Sequence, residues 1–156
     1  MTKRIYIGID AGKKTGVAVW DREKFISIQT TDFWGAIDII RENNDLLISG
    51  GLIVVVEDPS QNKPVFKIVS VYNLTQGNHQ SRLSAVAKVA QGVGSVKRES
   101  ELIIEYCRRN EITVIPVKPT KRSMTKLDRE QFKKITGYEG VTSEHARDAA
   151  LLVYGR

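Results

Sequence analysis

The chain has 156 residues, of which 41% are hydrophobic and 27% charged, and its formal net charge is +6. This composition is typical of one folded domain and excludes an intrinsically disordered chain, because disordered sequences combine few apolar residues with a high net charge. The single cysteine, Cys107, excludes a disulfide framework and a zinc site made of several thiolates, which favours a reducing, cytoplasmic location. No window approaches about 20 consecutive apolar residues, so no membrane-spanning helix is expected.

The first third of the sequence predicts three short strands and a helix. Apolar and β-branched residues form three runs separated by turn-forming residues, at 5–9, 17–20 and 25–30. Their close spacing indicates an antiparallel meander. Asp32 can cap a helix that follows the third strand and ends at Asn43-Asn44.

The middle of the sequence predicts a central strand and a long helix. Residues 52–57 read LIVVVE, the pattern of a strand that is buried on both faces near the middle of a sheet. Residues 60–80 are rich in Asn, Gln and Ser, which predicts a long loop. From 81 to 110, apolar residues recur every three or four positions, as in a helix, and Gly92 and Gly94 predict a bend or break in it.

The last third of the sequence predicts another buried strand and two helices. The strand covers 112–117, and a basic helix covers 128–135. Ser143 can cap a final helix that runs to about Tyr154. The element order β-β-β-α-β-α-β-α-α predicts an α/β fold in which helices cover both faces of a mixed sheet. Because the sequence shows neither a repeat nor a linker, residues 1–156 are expected to form a single domain.

Three acidic residues fall where an α/β sheet places chemistry. Asp10 ends the first strand, Glu57 ends the buried central strand, and Asp148 lies on the last helix, three residues after His145. Carboxylates that converge repel one another and acquire raised pKa values unless a divalent cation neutralises them, and Mg²⁺ or Mn²⁺ suits such oxygen ligands. Each residue also has a structural explanation, since Asp10 could start a turn, Glu57 could be a polar strand exit, and His145 and Asp148 could be an exposed helix pair.

Most of the positive charge is concentrated in residues 117–134, which we call the basic segment. It contains two acidic residues and seven basic ones, namely Lys118, Lys121, Arg122, Lys126, Arg129, Lys133 and Lys134. Such a concentration is typical of a surface that faces a polyanion, because each Lys or Arg near a phosphate releases a condensed counterion. A solvated helix face is the alternative explanation.

Together these motifs resemble the RuvC family of Holliday junction resolvases, which belongs to the RNase H-like nucleases and includes bacteriophage members. The resemblance lies in IYIGIDAG at 5–12 followed by Thr15-Gly16, in the strand that ends at Glu57, and in EHARDAA at 144–150. It implies an RNase H-like fold with a five-stranded mixed sheet flanked by helices. It also implies a homodimer that cuts two DNA strands, with two Mg²⁺ ions per active site that Mn²⁺ could replace.

The resemblance further implies which residues bind metal and DNA. The catalytic, metal-binding residues would be Asp10, Glu57, His145 and Asp148. Glu144 competes with His145 for the fourth position, and Asp58 is a lesser candidate. The DNA-binding residues would be Lys118, Lys121, Arg122, Lys126 and Phe66. The phenyl ring of Phe66, or less favourably the ring of Tyr72, could stack on an exposed base or simply anchor its loop to the core.

The sequence therefore predicts a Mg²⁺-dependent endodeoxyribonuclease that resolves four-way junctions and other branched DNA. One alternative is a module that binds branched DNA without cutting it. Another is an ATPase domain of the actin and sugar-kinase type, which the absence of a second glycine-rich phosphate loop from the sequence disfavours. No residue pattern indicates a helicase partner or a preferred cut sequence.

Overall fold

The computed structural model describes residues 4–46, 51–62, 79–119 and 126–156. Within these ranges the strands are β1 (Ile5–Asp10), β2 (Thr15–Trp20), β3 (Phe25–Thr31), β4 (Leu52–Glu57) and β5 (Thr113–Val117). The α-helices in the same ranges are α1 (Phe33–Leu46), α2 (His79–Arg109), α3 (Arg129–Thr136) and α4 (Glu144–Leu151). A short 3-10 turn, Pro59–Gln61, follows β4. Among the described helices, none combines the length and the apolar character that crossing a membrane requires.

The five strands form one mixed sheet in the order β3-β2-β1-β4-β5. The first three strands pair antiparallel, whereas β4 pairs parallel with β1 and β5 pairs parallel with β4. Because β1, β4 and β5 run in one direction, their last residues, Asp10, Glu57 and Val117, lie at the same end of the sheet, which we call the carboxyl end. The prediction of an α/β fold with a five-stranded mixed sheet is confirmed.

Side chains alternate between the two faces of the sheet, and helices cover each face. On one face, the strand residues Ile7, Ile9, Val54 and Val56 pack with Ala36, Ile37 and Ile40 of α1 and with Ile103, Ile104 and Cys107 of α2. On the other face, Tyr6, Ala18, Trp20 and Val55 pack with Phe132 of α3 and with Ala146, Ala149 and Ala150 of α4. Because burying one large aliphatic side chain stabilises a fold by about 1.5–3 kcal/mol, these two layers hold the sheet between the helices.

Helix α4 packs against β1 and β2 so closely that its backbone lies directly against the strand backbones. A Cβ atom added at Gly8 would overlap the carbonyl oxygen of Ala149, and one added at Gly16 would overlap that of His145. The helix presents small, fully buried alanines to the strands, so that nothing holds the two backbones apart. The close contact brings the N-terminal turn of α4 to the carboxyl end of the sheet.

Two helices differ from the sequence-based expectation. Helix α2 runs unbroken through Gly92 and Gly94, so the predicted break at this point does not occur. A glycine inside a helix costs only about 1 kcal/mol, which the rest of a 31-residue helix outweighs. Helix α1 passes Asn43, the predicted stop, and continues to Leu46, and the Asn43 side-chain amide donates a hydrogen bond back to the carbonyl of Ile39 in the preceding turn.

The C-terminal elements also differ in detail from the prediction. Strand β5 is half-buried at the edge of the sheet rather than fully buried. Its edge position explains how the strand accommodates Pro116, which lacks a backbone N–H. Helix α4 begins after the predicted cap, Ser143, but ends at Leu151, and turns continue the chain to Gly155.

We expect Gly8→Ala to lower the free energy of unfolding by about 3 kcal/mol, because the added methyl group forces α4 away from β1. Gly94→Ala is the matched control, since a Cβ at that position meets nothing within 4 Å. It should raise stability by about 0.5–1 kcal/mol through the better helix propensity of alanine. Urea denaturation followed by circular dichroism measures both values. Equal midpoints for Gly8→Ala and wild type would contradict the close packing of α4.

Candidate active site

The strand register places Asp10 and Glu57 side by side. Ile9 pairs with Val56 in the parallel β1–β4 ladder, so Asp10 and Glu57 are the next neighbours along the two strands. Ile9 and Val56 face α1 and α2, and since successive side chains alternate, Asp10 and Glu57 face the opposite layer. That layer contains α4, which carries His145 and Asp148. The topology therefore directs all four predicted metal ligands toward one place.

His145 contacts Asp10 directly. Its Nδ1 atom lies 2.8 Å from Asp10 Oδ2, and the Asp10 side chain is 17% exposed. The start of α4 is fixed by Ser143, whose Oγ accepts a hydrogen bond from the backbone N–H of Ala146. The same Ser143 Oγ lies 2.5 Å from Thr30 Oγ1 at the end of β3. This double attachment of the helix cap holds His145 against Asp10.

Burial, together with neighbouring negative charges, raises the pKa of each of the three carboxyl groups. Burial raises the pKa of Glu57 to about 7, and the negative charges of Asp10 and Asp148 contribute to the increase. Burial, followed by the charges of Asp10 and Glu144, raises the pKa of Asp148 to about 6. Burial also raises the pKa of Asp10, against the opposing effect of the hydrogen bond with His145. Asp10 acts electrostatically on both Glu57 and Asp148, and Asp148 acts on Glu57, so we treat the three as one coupled group.

Lys126, from the basic segment, lies beside this group. Its ammonium forms an ion pair with Glu144, and the hydrogen bond between them lowers the pKa of Glu144. The positive charge of Lys126 partly offsets the rise in the pKa values of Asp10 and Asp148, which shows that the lysine is close to both. Glu144 is thus engaged with Lys126, whereas His145 contacts Asp10. This arrangement favours His145 over Glu144 as the fourth member of the site.

Asp58, the lesser candidate, has a structural role. Its carboxylate accepts hydrogen bonds from the backbone N–H of Ser60 and the side-chain amide of Gln61, and it caps the 3-10 turn after β4. Burial alone would raise its pKa, but these hydrogen bonds and the charge of Lys97 outweigh burial and lower it. The turn begins immediately after Glu57 and so fixes the point where the chain leaves β4.

Arg147 is a structural part of the site that sequence reasoning missed. Its Nε donates to the carbonyl of Leu127 at 2.9 Å, and its Nη1 donates to the carbonyl of Thr142 at 2.9 Å. These bonds fasten the residue after Lys126 to the helix that carries Asp148. The sequence did contain a signal for this role, namely an arginine inside the alanine-rich EHARDAA motif. A guanidinium that is partly buried there needs hydrogen-bond acceptors.

The predicted DNA-binding residues are only partly within the described residues. Lys118 is exposed immediately after β5, and Lys126 is exposed beside Glu144. Lys121, Arg122 and Phe66, together with Tyr72, lie outside the described residues. Sequence reasoning also passed over two exposed lysines, Lys13 and Lys14, in the turn that follows Asp10.

The donor chemistry of the site suits a divalent cation. Carboxylate oxygens and an imidazole nitrogen are the available ligands, and the carboxylates repel one another when no cation lies between them. Across residues 4–46, 51–62, 79–119 and 126–156, however, no three His, Cys, Asp or Glu side chains are gathered closely enough to hold one ion. Ion binding would therefore require the side chains of Asp10, Glu57 and Asp148 to move closer together.

No protein-family model, no curated protein and no solved structure matches this chain. The geometry at the carboxyl end of the sheet is therefore the basis for assigning a function. It consists of a half-buried carboxylate group, a histidine bonded to one member, and lysines at its border.

Glu57→Gln should make the metal-free protein more stable at pH 8 and weaken the dependence of its stability on pH. Because folding raises the pKa of Glu57 from near 4.5 to about 7, the folded protein retains a proton that the unfolded chain releases between these values. The resulting stabilisation is complete below pH 4.5 and is lost as the pH rises through 7. After allowance for solvent screening, Glu57→Gln should be more stable than wild type at pH 8 by on the order of 1 kcal/mol.

Thermal unfolding in EDTA between pH 4 and pH 8 tests this prediction. Glu139→Gln is the matched control, because Glu139 is 78% exposed and pairs with Lys133 at the surface. It should leave the stability difference between pH 5 and pH 8 as in wild type. A Glu57→Gln profile parallel to that of wild type would show that Glu57 is not coupled to Asp10 and Asp148.

Arg147→Met should release residues 126–128 from α4. Losing the hydrogen bonds to Leu127 and Thr142 should lower the free energy of unfolding by about 1–2 kcal/mol, since it leaves two partly buried acceptors without this donor. Hydrogen–deuterium exchange of peptides that contain 126–131 should accelerate. Arg129→Met is the control, because Arg129 is exposed at the start of α3. Equal exchange in the two variants would remove Arg147 from this role.

Proposed function

We propose that the protein is a divalent-metal-dependent endonuclease that hydrolyses phosphodiester bonds in branched DNA, including four-way junctions. The observation that carries the proposal is the coupled group of Asp10, Glu57 and Asp148 at the carboxyl end of a mixed α/β sheet. The strand order and the positions of these residues also support an RNase H-like fold of the RuvC type. Because resolving a four-way junction requires two cuts, the proposal includes a homodimer with one site in each subunit.

The electrostatics favour a substrate that carries both phosphates and a cation. Carboxylates repel a phosphate unless a metal ion lies between them, and two of the three carboxyl groups have pKa values near 6 and 7 because of burial and mutual repulsion. Lys126 and Lys118 lie at the same end of the sheet and can contact the phosphates on either side of the one that is cut. In this proposal the carboxylates bind the cation, and the lysines bind the phosphates.

Asp10, Glu57 and Asp148, together with His145, would hold Mg²⁺ or Mn²⁺. When bound, the ions would activate water as a nucleophile and stabilise the charge on the reacting phosphate and the leaving oxygen. The hydrogen bond with His145 orients the Asp10 carboxylate. The glycine contacts of α4 keep both groups in register with Glu57.

A module that binds branched DNA without cutting it is the second candidate. It is favoured by one observation, namely that the described residues contain no group of three side chains already spaced to hold an ion. The same lysines would then hold the phosphates, and the carboxylates would limit how closely DNA approaches the sheet.

Asp10→Asn should reduce cleavage of four-way junctions by more than about 100-fold while leaving junction binding intact. Replacing a residue that only supports a metal ligand typically costs about 10–100-fold in activity, and replacing the ligand itself should cost more. Asp38→Asn is the matched control, since Asp38 is exposed on α1 and pairs with Arg41. The assay compares four-way, three-way, flap and linear substrates in Mg²⁺, Mn²⁺ or EDTA.

The outcomes separate the two candidates. Cleavage by Asp10→Asn at the wild-type rate would remove Asp10 from the site. Tight junction binding by wild type without cleavage in either metal would support the binding module. If wild type neither binds nor cuts any branched substrate, both proposals are wrong.

A further inference from the structure

The turn between β1 and β2 presents two lysines beside the candidate active site. Lys13 and Lys14 are exposed, whereas Gly12 and Thr15 on either side of them are buried. The Thr15 hydroxyl donates a hydrogen bond to the carbonyl of Gly12 at 2.9 Å, which closes the base of the turn. The two ammonium groups are therefore carried on a fixed turn that starts directly after Asp10. Neither lysine belongs to the basic segment.

The strand order places Asp10 and Glu57 between this turn and Lys118, the first lysine of the basic segment. Along the carboxyl end of the sheet, the β1–β2 turn comes first, Asp10 and Glu57 follow at the ends of β1 and β4, and Lys118 follows β5. From β2 to β5 there are three strand spacings of about 4.8 Å, or about 14 Å in total. One DNA strand advances 3.4 Å along its axis per phosphate, so this width matches about four phosphates.

Lys97 of α2 adds a charge on the other face of the sheet. Its charge contributes to the lowered pKa of Asp58, the residue after Glu57, so the lysine lies near the end of β4. Val96 lies next to the β1–β2 turn, since its Cγ2 would be 3.8 Å from a Cβ at Gly12. Helix α2 packs with α1, whereas Lys126 borders α4 on the opposite face. Lysines from separate elements thus surround the carboxylates on both faces.

We infer that Lys13 and Lys14, assisted by Lys97, form a second phosphate-binding arm that holds a DNA strand on the side of the carboxylates opposite Lys118. The inference rests on the proposed function, because it takes the substrate to be DNA. A strand that crosses the carboxyl end of the sheet meets lysines before and after the acidic group. This placement balances the repulsion from Asp10 and Glu57 on both sides of the phosphate between them.

Matched double variants test the arm. Lys13→Gln with Lys14→Gln removes two charges from the β1–β2 turn. Arg22→Gln with Lys24→Gln removes two charges from the β2–β3 turn, which is equally exposed but lies at the opposite end of the sheet. Lys97→Gln is compared with Lys88→Gln, nine residues earlier and exposed on the opposite side of α2. Circular dichroism verifies that each variant folds.

Binding of a labelled four-way junction in EDTA is measured by fluorescence anisotropy over a series of salt concentrations. The Lys13/Lys14 variant should bind about 10-fold more weakly at low salt, with a slope of log K against log salt that is shallower by about 1–2. Lys97→Gln should make this slope shallower by about 1 at most. The Arg22/Lys24 and Lys88 controls should keep the wild-type slope.

The possible results distinguish this inference from the proposed function. An unchanged slope in the Lys13/Lys14 variant, with wild-type protein binding DNA, overturns the arm and leaves the proposed function standing. Equal losses in the Lys13/Lys14 and Arg22/Lys24 variants also overturn it, because the effect would then follow net charge rather than position. If wild type fails to bind branched DNA, both the proposed function and the arm are wrong.

Discussion

The packing of α4 against β1 and β2 is the constraint on which the candidate site depends. Gly8 and Gly16 have no side chains, and the alanines of α4 are short, so the helix backbone lies against the strands. Only at this distance does Nδ1 of His145 reach the Asp10 carboxylate, with Asp148 one turn further along the helix. A larger residue at either glycine would separate the helical half of the site from the half carried by the strands. The glycines at 8 and 16 therefore serve the geometry of the site as well as the stability of the core.

This close packing has an electrostatic consequence. It removes Asp10, Glu57 and Asp148 from water and brings their charges together, and both effects favour the protonated forms. His145 and Lys126 offset part of the repulsion, but Glu57 still has a pKa of about 7. A fold that served stability alone would separate these groups or replace one by a neutral residue. The retained repulsion is understandable if a bound cation neutralises it, which is the physical reason for preferring a metal-dependent function to a purely structural role.

Much of the fold could be predicted from the sequence because its signals are local. The apolar runs, the Asp32 and Ser143 caps and the buried pattern of LIVVVE each indicate an element directly. That Asp10 and Glu57 end neighbouring strands was also predictable, since parallel strands end at one edge of a sheet. The errors arose where contacts between distant residues or the balance of a whole element decide the outcome. The continuity of α2 through Gly92 depends on the full length of the helix, and the hydrogen bonds of Arg147 join residues up to 20 positions apart.

The spatial distribution of charge also could not be predicted from local sequence signals. Along the sequence, the basic segment is the most concentrated source of positive charge, whereas Lys13 and Lys14 form an isolated pair and Lys97 is followed by Arg98 and the acidic Glu99. The sheet order brings these dispersed lysines to the end that also carries the carboxylates. If the substrate is DNA, as proposed, a phosphate at this end would meet positive charge from several elements, although the net charge of the whole chain is only +6. Association steered by such a local field depends on the arrangement of charges around the site and only weakly on their sum, so the position of each lysine relative to Asp10 and Glu57 is the relevant quantity.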